Sequence, residues 1–298
     1  MTIPEGFKPQ LAIEQTKVKT QPANRYMSEK LDGIRCIVFG GVAYSRSLKR
    51  IPNLSVQAYV QHHAEAMEGM DGELIVGDKN APDVFNQSTS GVMRIEGEPN
   101  FTFWVFDRYH PTQTWLERYR RLQNLAFTPA RVALLKHHPV SEDADIDDFE
   151  AEMLAQGAEG VMLRDENAKY KCGRSGTKNP ELQKVKRFVD NEFEIIGWEP
   201  KYTNTNAAKT NELGRTERST AKEGMVALDT MGSLILCTST GSTFSCGSGM
   251  TDAIREDLWE RRETLMGQLA KVKYFDVGNG YNVPRFPVLV GIRHKDDM

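Results

Sequence analysis

Lys30-Leu31-Asp32-Gly33-Ile34-Arg35 stands where a polar segment gives way to the first β-rich run of a 298-residue chain. The hexapeptide sets a primary amine two residues before a carboxylate, then a glycine, then a guanidinium. A lysine amine attacks phosphorus or a carbonyl carbon only when neutral. Its ordinary pKa of about 10.4 therefore has to fall, through nearby cations, a metal or desolvation. Read alone, the same six residues also fit a mixed-charge surface turn. Directly downstream, two β-rich runs, Ile34-Arg35-Cys36-Ile37-Val38-Phe39 and Val42-Ala43-Tyr44, flank Gly40-Gly41, the pattern of a hairpin.

Working outward, apolar residues at helical spacing predict helices over 54–67 and 115–127, the second with Trp115, Tyr119, Leu122 and Ala126 on one stripe. Asp147-Asp148 is expected to open a further short helix, with Phe149, Met153 and Leu154 inward and Gly157 as its stop. Residues 72–76, 101–109, 160–164 and 182–188 read as strands. After Asp190 the texture changes. A strand over 193–198 precedes a polar stretch, 201–223, with almost no apolar residues. Short strands follow at 225–228, 233–237, 243–246, 271–277 and 288–293, and a helix over 252–266 carries Ile254, Leu258, Arg262 and Leu265 on one side. Many short strands with one helix suit a small Greek-key barrel of the OB type. The expected fold is therefore α+β, with a mixed domain over 1–189 and a β-barrel domain over 190–298.

Thirty-eight lysines and arginines against 41 acids give a net charge of −3, which excludes a uniformly basic nucleic-acid coat but leaves room for a basic stripe. The charge is uneven. Between 169 and 187 stand Lys169, Lys171, Arg174, Lys178, Lys184, Lys186 and Arg187 against the single acid Glu181. The acidic run over 142–152 reads as a solvated loop and helix start. Four scattered cysteines without a C-x-x-C pair, and histidines without metal-ligand spacing, show no zinc site and suit free thiols in a reducing compartment. There is no P-loop pattern. With no secretory signal and no apolar window near 18 residues, a soluble intracellular protein is expected, cytoplasmic or, in a eukaryotic host, nuclear.

Three further stretches carry chemistry. Lys184 and Lys186, two apart on an expected strand, share a face, and two ammonium groups there repel unless an anion lies between or beneath them. The same spacing also fits a strand edge kept soluble by lysines. Glu159 precedes a strand and offers carboxylate oxygen to Mg²⁺, which favours carboxylate and phosphate oxygens together. Trp104 and Phe106 share a strand face, where aromatics are ordinarily core.

The set, in order, resembles the covalent nucleotidyltransferase superfamily of ATP-dependent DNA ligases and mRNA-capping enzymes, whose signature is K-x-D-G-x-R. Ser45-Arg46-Ser47 resembles the second box and Asp71-Gly72-Glu73-Leu74 the third, with Phe103-Trp104-Val105-Phe106-Asp107 as its aromatic companion. Glu159-Gly160-Val161-Met162-Leu163-Arg164 resembles the fourth, and Leu182-Gln183-Lys184-Val185-Lys186 the fifth. Lys169-Tyr170-Lys171-Cys172-Gly173-Arg174-Ser175 and the ending from Pro284-Arg285-Phe286-Pro287 to Gly291-Ile292-Arg293-His294 are similar to the minimal two-domain chlorella-virus type of DNA ligase. Glu29 stands before the lysine where that type has proline, and Cys172 replaces a bulkier aromatic.

The resemblance implies a nucleotidyltransferase (adenylation) domain followed by an OB-fold domain, and an enzyme that seals nicks in duplex DNA using ATP and Mg²⁺ or Mn²⁺. It makes Lys30 the nucleophile that becomes AMP-lysine. Arg35, Arg46, Glu73, Phe106, Lys184, Lys186, Arg285 and Arg293 would bind the nucleotide, with Phe106 on the base, Glu73 on the ribose, and Arg285 and Arg293 on the pyrophosphate. Glu159, and secondarily Asp32, would hold the metal. Arg46 and Arg174 are the candidates for the DNA 5′-phosphate, which a guanidinium fork binds bidentately. The polar stretch, about 200–223, corresponds to a hairpin latch around DNA, and Lys201, Lys209, Arg215, Arg218 and Lys222 among Thr and Asn donors suit phosphate contact. The partner implied is nicked duplex DNA, bound by a monomer without membrane or protein partner, in a chain that fits a virus or phage origin. An RNA ligase or capping guanylyltransferase with the same lysine, and a non-catalytic OB-fold DNA-binding protein, remain open at this point.

Overall fold

The computed structural model describes residues 3–125, 129–186, 188–210, 216–219, 221–275 and 283–293. Two compact units are present, one ending at Lys186 and the other opening with the strand Phe188–Asn204.

The first unit holds two five-stranded sheets. In one, the order is Ile13–Glu14, Leu182–Val185, Val161–Asp165, Arg25–Glu29 and His138–Val140, antiparallel except for the pairing of Ile13–Glu14 with Leu182–Val185. In the other it is Val42–Tyr44, Ile34–Phe39, Met70–Val76, Phe101–Arg108 and Val132–Leu134, with only the last pair parallel. Alternation along these strands divides the second sheet into two faces. Cys36, Val38, Met70, Leu74, Phe103 and Val105 pack into the largest core, under the helices Leu54–His62 and Ala64–Met67. Arg35, Glu73 and Phe106 point the other way and line a cavity. A bulge follows at Phe106: the register passes from Asp71↔Asp107 to Gly72↔Val105, so Phe106 is unpaired and Asp107 comes to lie opposite Asp71.

Several elements differ from the sequence expectation. The helix over 54–67 breaks at His63, which closes Leu54–His62 and precedes Ala64–Met67. Trp115–Gln123 is capped by Thr114 and Glu117 acting reciprocally, and buries Trp115, Tyr119 and Leu122; Ala126 lies outside the described residues. The next helix begins at Asp143, a turn before Asp147, because the Asp145 carboxylate accepts from the N–H groups of Ser141 (2.7 Å) and Glu142 (2.9 Å). The acidic run is thus helical, buries Ile146 and Met153, and leaves Leu154 half-buried. Leu182–Val185 stops one residue before Lys186, yet Lys184 and Lys186 line the same cavity while Val185 between them is buried in a core, as strand alternation leads one to expect.

The second unit is a five-stranded antiparallel sheet in the order Thr243–Cys246, Met225–Cys237, Phe188–Asn204, Leu269–Phe275 and Arg285–Arg293. Its edges meet where Leu289 N–H donates to Ser248 O (2.9 Å), closing the sheet into a barrel around Ile195, Leu234, Leu236, Leu258, Leu265 and Val272. The strands expected at 225–228 and 233–237 are one continuous strand. It pairs with Phe188–Asn204 in a ribbon whose end, Asn204↔Met225, runs past the core. The helix expected over 252–266 ends at Glu260, and a 3-10 turn, Arg262–Leu265, follows. Leu258 and Leu265 are buried, whereas Ile254 is exposed. Beyond Asn204, part of the polar stretch forms a hairpin of Ala208–Thr210 and Thr216–Arg218.

Candidate active site

Lys30 directly follows Arg25–Glu29, and the pairing of that strand with Val161–Asp165 continues through it. Lys30 N–H donates to Gly160 O (2.8 Å), and Glu159 N–H donates to Lys30 O (3.2 Å). Two glycines make the approach possible. A Cβ on Gly160, whose φ is +141°, would lie 2.5 Å from Val185 O, and one on Gly33 would lie 2.5 Å from Leu74 O. The lysine is thereby held between the two sheets, beside residue 159, by main chain that no larger residue at 33 or 160 would allow.

The side chains follow from that placement. The Glu159 carboxylate takes the Lys30 ammonium on one oxygen and the Lys186 ammonium on the other. Lys184, on the strand just before, lies 3.6 Å from Glu14. Arg35 grips Asp71 through Nε and Nη2, at 2.5 and 2.7 Å, and Asp71 also accepts from the Tyr170 hydroxyl at 2.6 Å. Burial pushes the Arg35 guanidinium toward losing its proton, but Asp71 more than offsets this and holds it charged. Phe106 carries the Arg35 guanidinium 4.6 Å from its ring centre and that of Arg164 at 5.2 Å, so its plane is fixed by two cations. Glu73 sits opposite Arg35 in the register; burial raises its carboxyl to about 7 even though Arg35 and Lys30 both pull it down.

Behind this layer, Asp107 receives a two-point fork from Arg118 (2.7 and 2.9 Å) and a bond from Arg164 at 3.1 Å. Asp71 and Asp107 are themselves partners across neighbouring strands. Two buried carboxylates face each other, and arginines neutralise both.

The cavity has a volume of about 790 Å³. Of the residues singled out in the sequence, Lys30, Arg35, Glu73, Phe106 and Glu159 line it, together with Lys184 and Lys186. So do Arg46, exposed in the turn after Val42–Tyr44, and Arg174, which donates to Ala12 O at 2.9 Å. Asp32 is half-buried and outside the lining. Among the described residues, no group of three or more His, Cys, Asp or Glu side chains could hold a metal by itself. Arg285 and Arg293 lie at the two ends of the last strand of the second unit, Arg285 against the Phe286 ring and Arg293 3.1 Å from Glu192. Lys201 reaches Asp252 at 3.2 Å, Arg218 donates to Asn206 O, and Lys222 is in a short 3-10 turn. Arg215 and the side chain of Lys209 lie outside the described residues.

Sequence reasoning passes over Asp71, Asp107, Arg118, Arg164 and Tyr170. Asp71 and Asp107 stand inside two quoted boxes, but a carboxylate on a strand ordinarily faces solvent. Only the cross-strand register reveals them as a buried pair. The wall formed by Gln10, Leu11 and Ala12 is equally silent in the sequence. Its segment carries no motif and owes its position to Leu11 N–H on Gly173 O (2.8 Å) and Ser175 N–H on Leu11 O (2.8 Å).

Residues 8–186 match the family model of the ATP dependent DNA ligase domain, and residues 225–293 that of the DNA ligase OB-like domain. A DNA ligase of African swine fever virus (isolate Pig/Kenya/KEN-50/1950) is 26% identical over 151 residues, 49% of this chain. The match covers 34% of that protein, so the chain aligns with about a third of the viral relative. Among solved structures, one from a structure-function study of Lig E DNA ligases is similar at a TM-score of 0.70 and 25% identity, over 96% of this chain and 99% of that one. The chlorella virus DNA ligase-adenylate is similar at 0.52 and 28% identity, over 96% and 99%. These similarities bear out the resemblance read from the boxes and the expected pairing of an adenylation domain with an OB-like domain. With more than half of its length matched by the catalytic-domain model, the chain belongs to the ATP dependent DNA ligase family.

Proposed function

We propose that this chain seals nicks in duplex DNA with ATP, by way of AMP bonded covalently to Lys30. The observation that carries this reading is the Lys30–Glu159–Lys186 cluster inside a cation-lined cavity large enough for a nucleotide. In the first step Lys30 Nζ attacks the α-phosphorus of ATP. An N–P bond forms, the P–O bond to pyrophosphate breaks, and the proton leaving Nζ has a Glu159 oxygen already bonded to it. In the second, an oxygen of the DNA 5′-phosphate attacks the same phosphorus, the N–P bond breaks, and Nζ regains a proton. In the third, the 3′-hydroxyl attacks the 5′-phosphorus and AMP leaves. Each is an in-line displacement, helped chiefly by position and by cations around the phosphate.

The residues divide accordingly. Phe106, held flat by Arg35 and Arg164, offers a platform for the base, and Glu73 a hydrogen-bond partner for the ribose. Lys184 and Lys186 clamp the α-phosphate, Arg46 and Arg174 grip the 5′-phosphate, and Arg285 and Arg293 orient the pyrophosphate. The hairpin and ribbon of the second unit contact the DNA backbone. Glu159 suits Mg²⁺ or Mn²⁺, because such ions take one or two carboxylates with phosphate oxygens rather than an all-protein cage. Bound there, the ion would stabilise charge on the phosphate.

The test is the sealing of a singly nicked duplex with ATP and Mg²⁺, alongside incubation with α-labelled ATP or GTP and denaturing electrophoresis. Ligated product and label from ATP on the chain are expected. Label from GTP alone would assign a capping activity, and DNA binding without any covalent nucleotide would assign a non-catalytic OB-fold protein.

A further inference from the structure

A second cavity of about 400 Å³ opens in the first unit, and no residue lines both it and the cavity of Lys30. Its polar wall is lopsided. Arg108, Arg118 and Arg121 line it against a single acid, Glu68, one of whose oxygens already accepts from Gly40 N–H at 2.8 Å. Arg118 is committed to Asp107. Arg108 and Arg121 are not: among the described residues, neither side chain makes an ion pair or a hydrogen bond. Arg108 is half-buried, and burial followed by repulsion from Arg121 pushes its guanidinium toward the neutral form, with Glu68 opposing. Half-burying one guanidinium beside another is unfavourable unless an anion completes the site.

The cavity also supplies a neutral donor and an apolar wall. His110 Nδ1 accepts from the N–H groups of Thr112 (3.4 Å) and Gln113 (3.3 Å), so the imidazole proton belongs on Nε2, which is left to donate. Tyr109, whose ring packs on Phe7, Phe39 and Tyr170, and Pro111 line the cavity beside the arginines. Guanidinium forks match phosphate oxygens in geometry and charge, and a ring packs well against such a wall.

We propose that this cavity is a second phosphate site, distinct from the catalytic one, for a small phosphomonoester carrying a planar ring, of the size of a mononucleotide. Arg108 and Arg121 hold the phosphate, His110 Nε2 donates to it, and the ring rests on Tyr109 and Pro111. The inference does not depend on the ligase reading, since it uses none of the residues placed in that machinery.

The probes are inorganic phosphate and AMP, titrated into the full chain while backbone amide signals of Gly69, His110 and Gln113 are followed by NMR. Saturable shifts at these amides are expected from both, with AMP the tighter. Arg121→Glu, a change at an exposed side chain, should weaken both at least tenfold and leave nucleotide labelling of Lys30 unchanged; Arg108→Lys should weaken AMP less. No saturable shift at these amides, or equal affinity in Arg121→Glu, would overturn the proposal. So would inorganic phosphate binding with AMP excluded. Loss of duplex affinity in Arg121→Glu with AMP shifts intact would make the cavity a DNA-backbone contact instead.

Discussion

Charges around Lys30 are paired with other charges out of solvent, whereas those along the ribbon of the second unit meet their partners in the open. In the first unit, Asp71 and Asp107 are 1% and 0% exposed and face each other across two strands, each gripped by an arginine fork. On the ribbon, Lys201 meets Asp252 with side chains 44% and 85% exposed, and Tyr202, Val226 and Leu228 stand in solvent. What order the ribbon end has comes from amides. Asn206 Nδ2 donates to Ser219 O and Ala221 O (2.9 and 3.0 Å), and Thr205 N–H donates to Gly224 O (2.8 Å). The difference teaches where precision is built. Low-dielectric burial makes each charge pair in the cavity costly to disturb, and water makes each pair on the ribbon nearly neutral to lose.

Mutation tests this contrast, the strongest effect coming from the proposed nucleophile. Lys30→Ala should abolish the mass increase of one AMP after incubation with ATP and Mg²⁺; any residual adduct would place the nucleophile elsewhere. Next in size, Asp107→Asn leaves Arg118 and Arg164 facing a neutral amide, and should cost about 3–5 kcal/mol of unfolding free energy, read by urea denaturation. A change below about 1 kcal/mol would show that the buried pair is not the brace described.

Glu73 gives a pH test of the same cavity. Its carboxyl is raised to about 7 from an ordinary 4.5, chiefly by burial. Between those values the unfolded chain has released the proton that the folded chain keeps, so stability falls as pH rises through this window. Glu73→Gln should match the parent below pH 4.5 and exceed it by about 3 kcal/mol above pH 7, measured by denaturant unfolding across pH. A parallel pH profile in the two proteins would exclude this role for burial.

The ribbon should respond differently. Replacing residues 205–224 by a two-residue turn between Asn204 and Met225 should leave AMP transfer to Lys30 unchanged. Nicked-duplex affinity should fall about tenfold, with a shallower salt dependence. Equal affinity with and without the hairpin would sever it from DNA binding. The smallest effect is expected from Lys201→Ala, which should change stability by less than about 0.5 kcal/mol in thermal unfolding.

The boxes make the cavity legible because each pairs a reactive side chain with a glycine or a strand that leaves little choice of local path. Glu159 is 129 residues from Lys30 and 27 from Lys186, yet the boxes by themselves single out all three. The acidic helix is harder to place. Asp147-Asp148 looks like a helix start, while the real start is set by the Asp145 carboxylate reaching back to Ser141 and Glu142. The ribbon reads as separate strands because exposed polar strand has no alternation to display; its continuity comes from pairing with Phe188–Asn204.

Sequence alone determined the two-part fold and the family, and it singled out Lys30 and Phe106 for the roles proposed for them, since these rest on residue types at short fixed spacings. The tertiary structure alone decided that Asp71 and Asp107 are buried partners, that Glu159 stands between two lysines, and that Arg108 and Arg121 line one cavity, neither in an ion pair among the described residues. Those facts depend on which strands lie side by side, and strand register is set by packing across the whole domain rather than by any local run of residues.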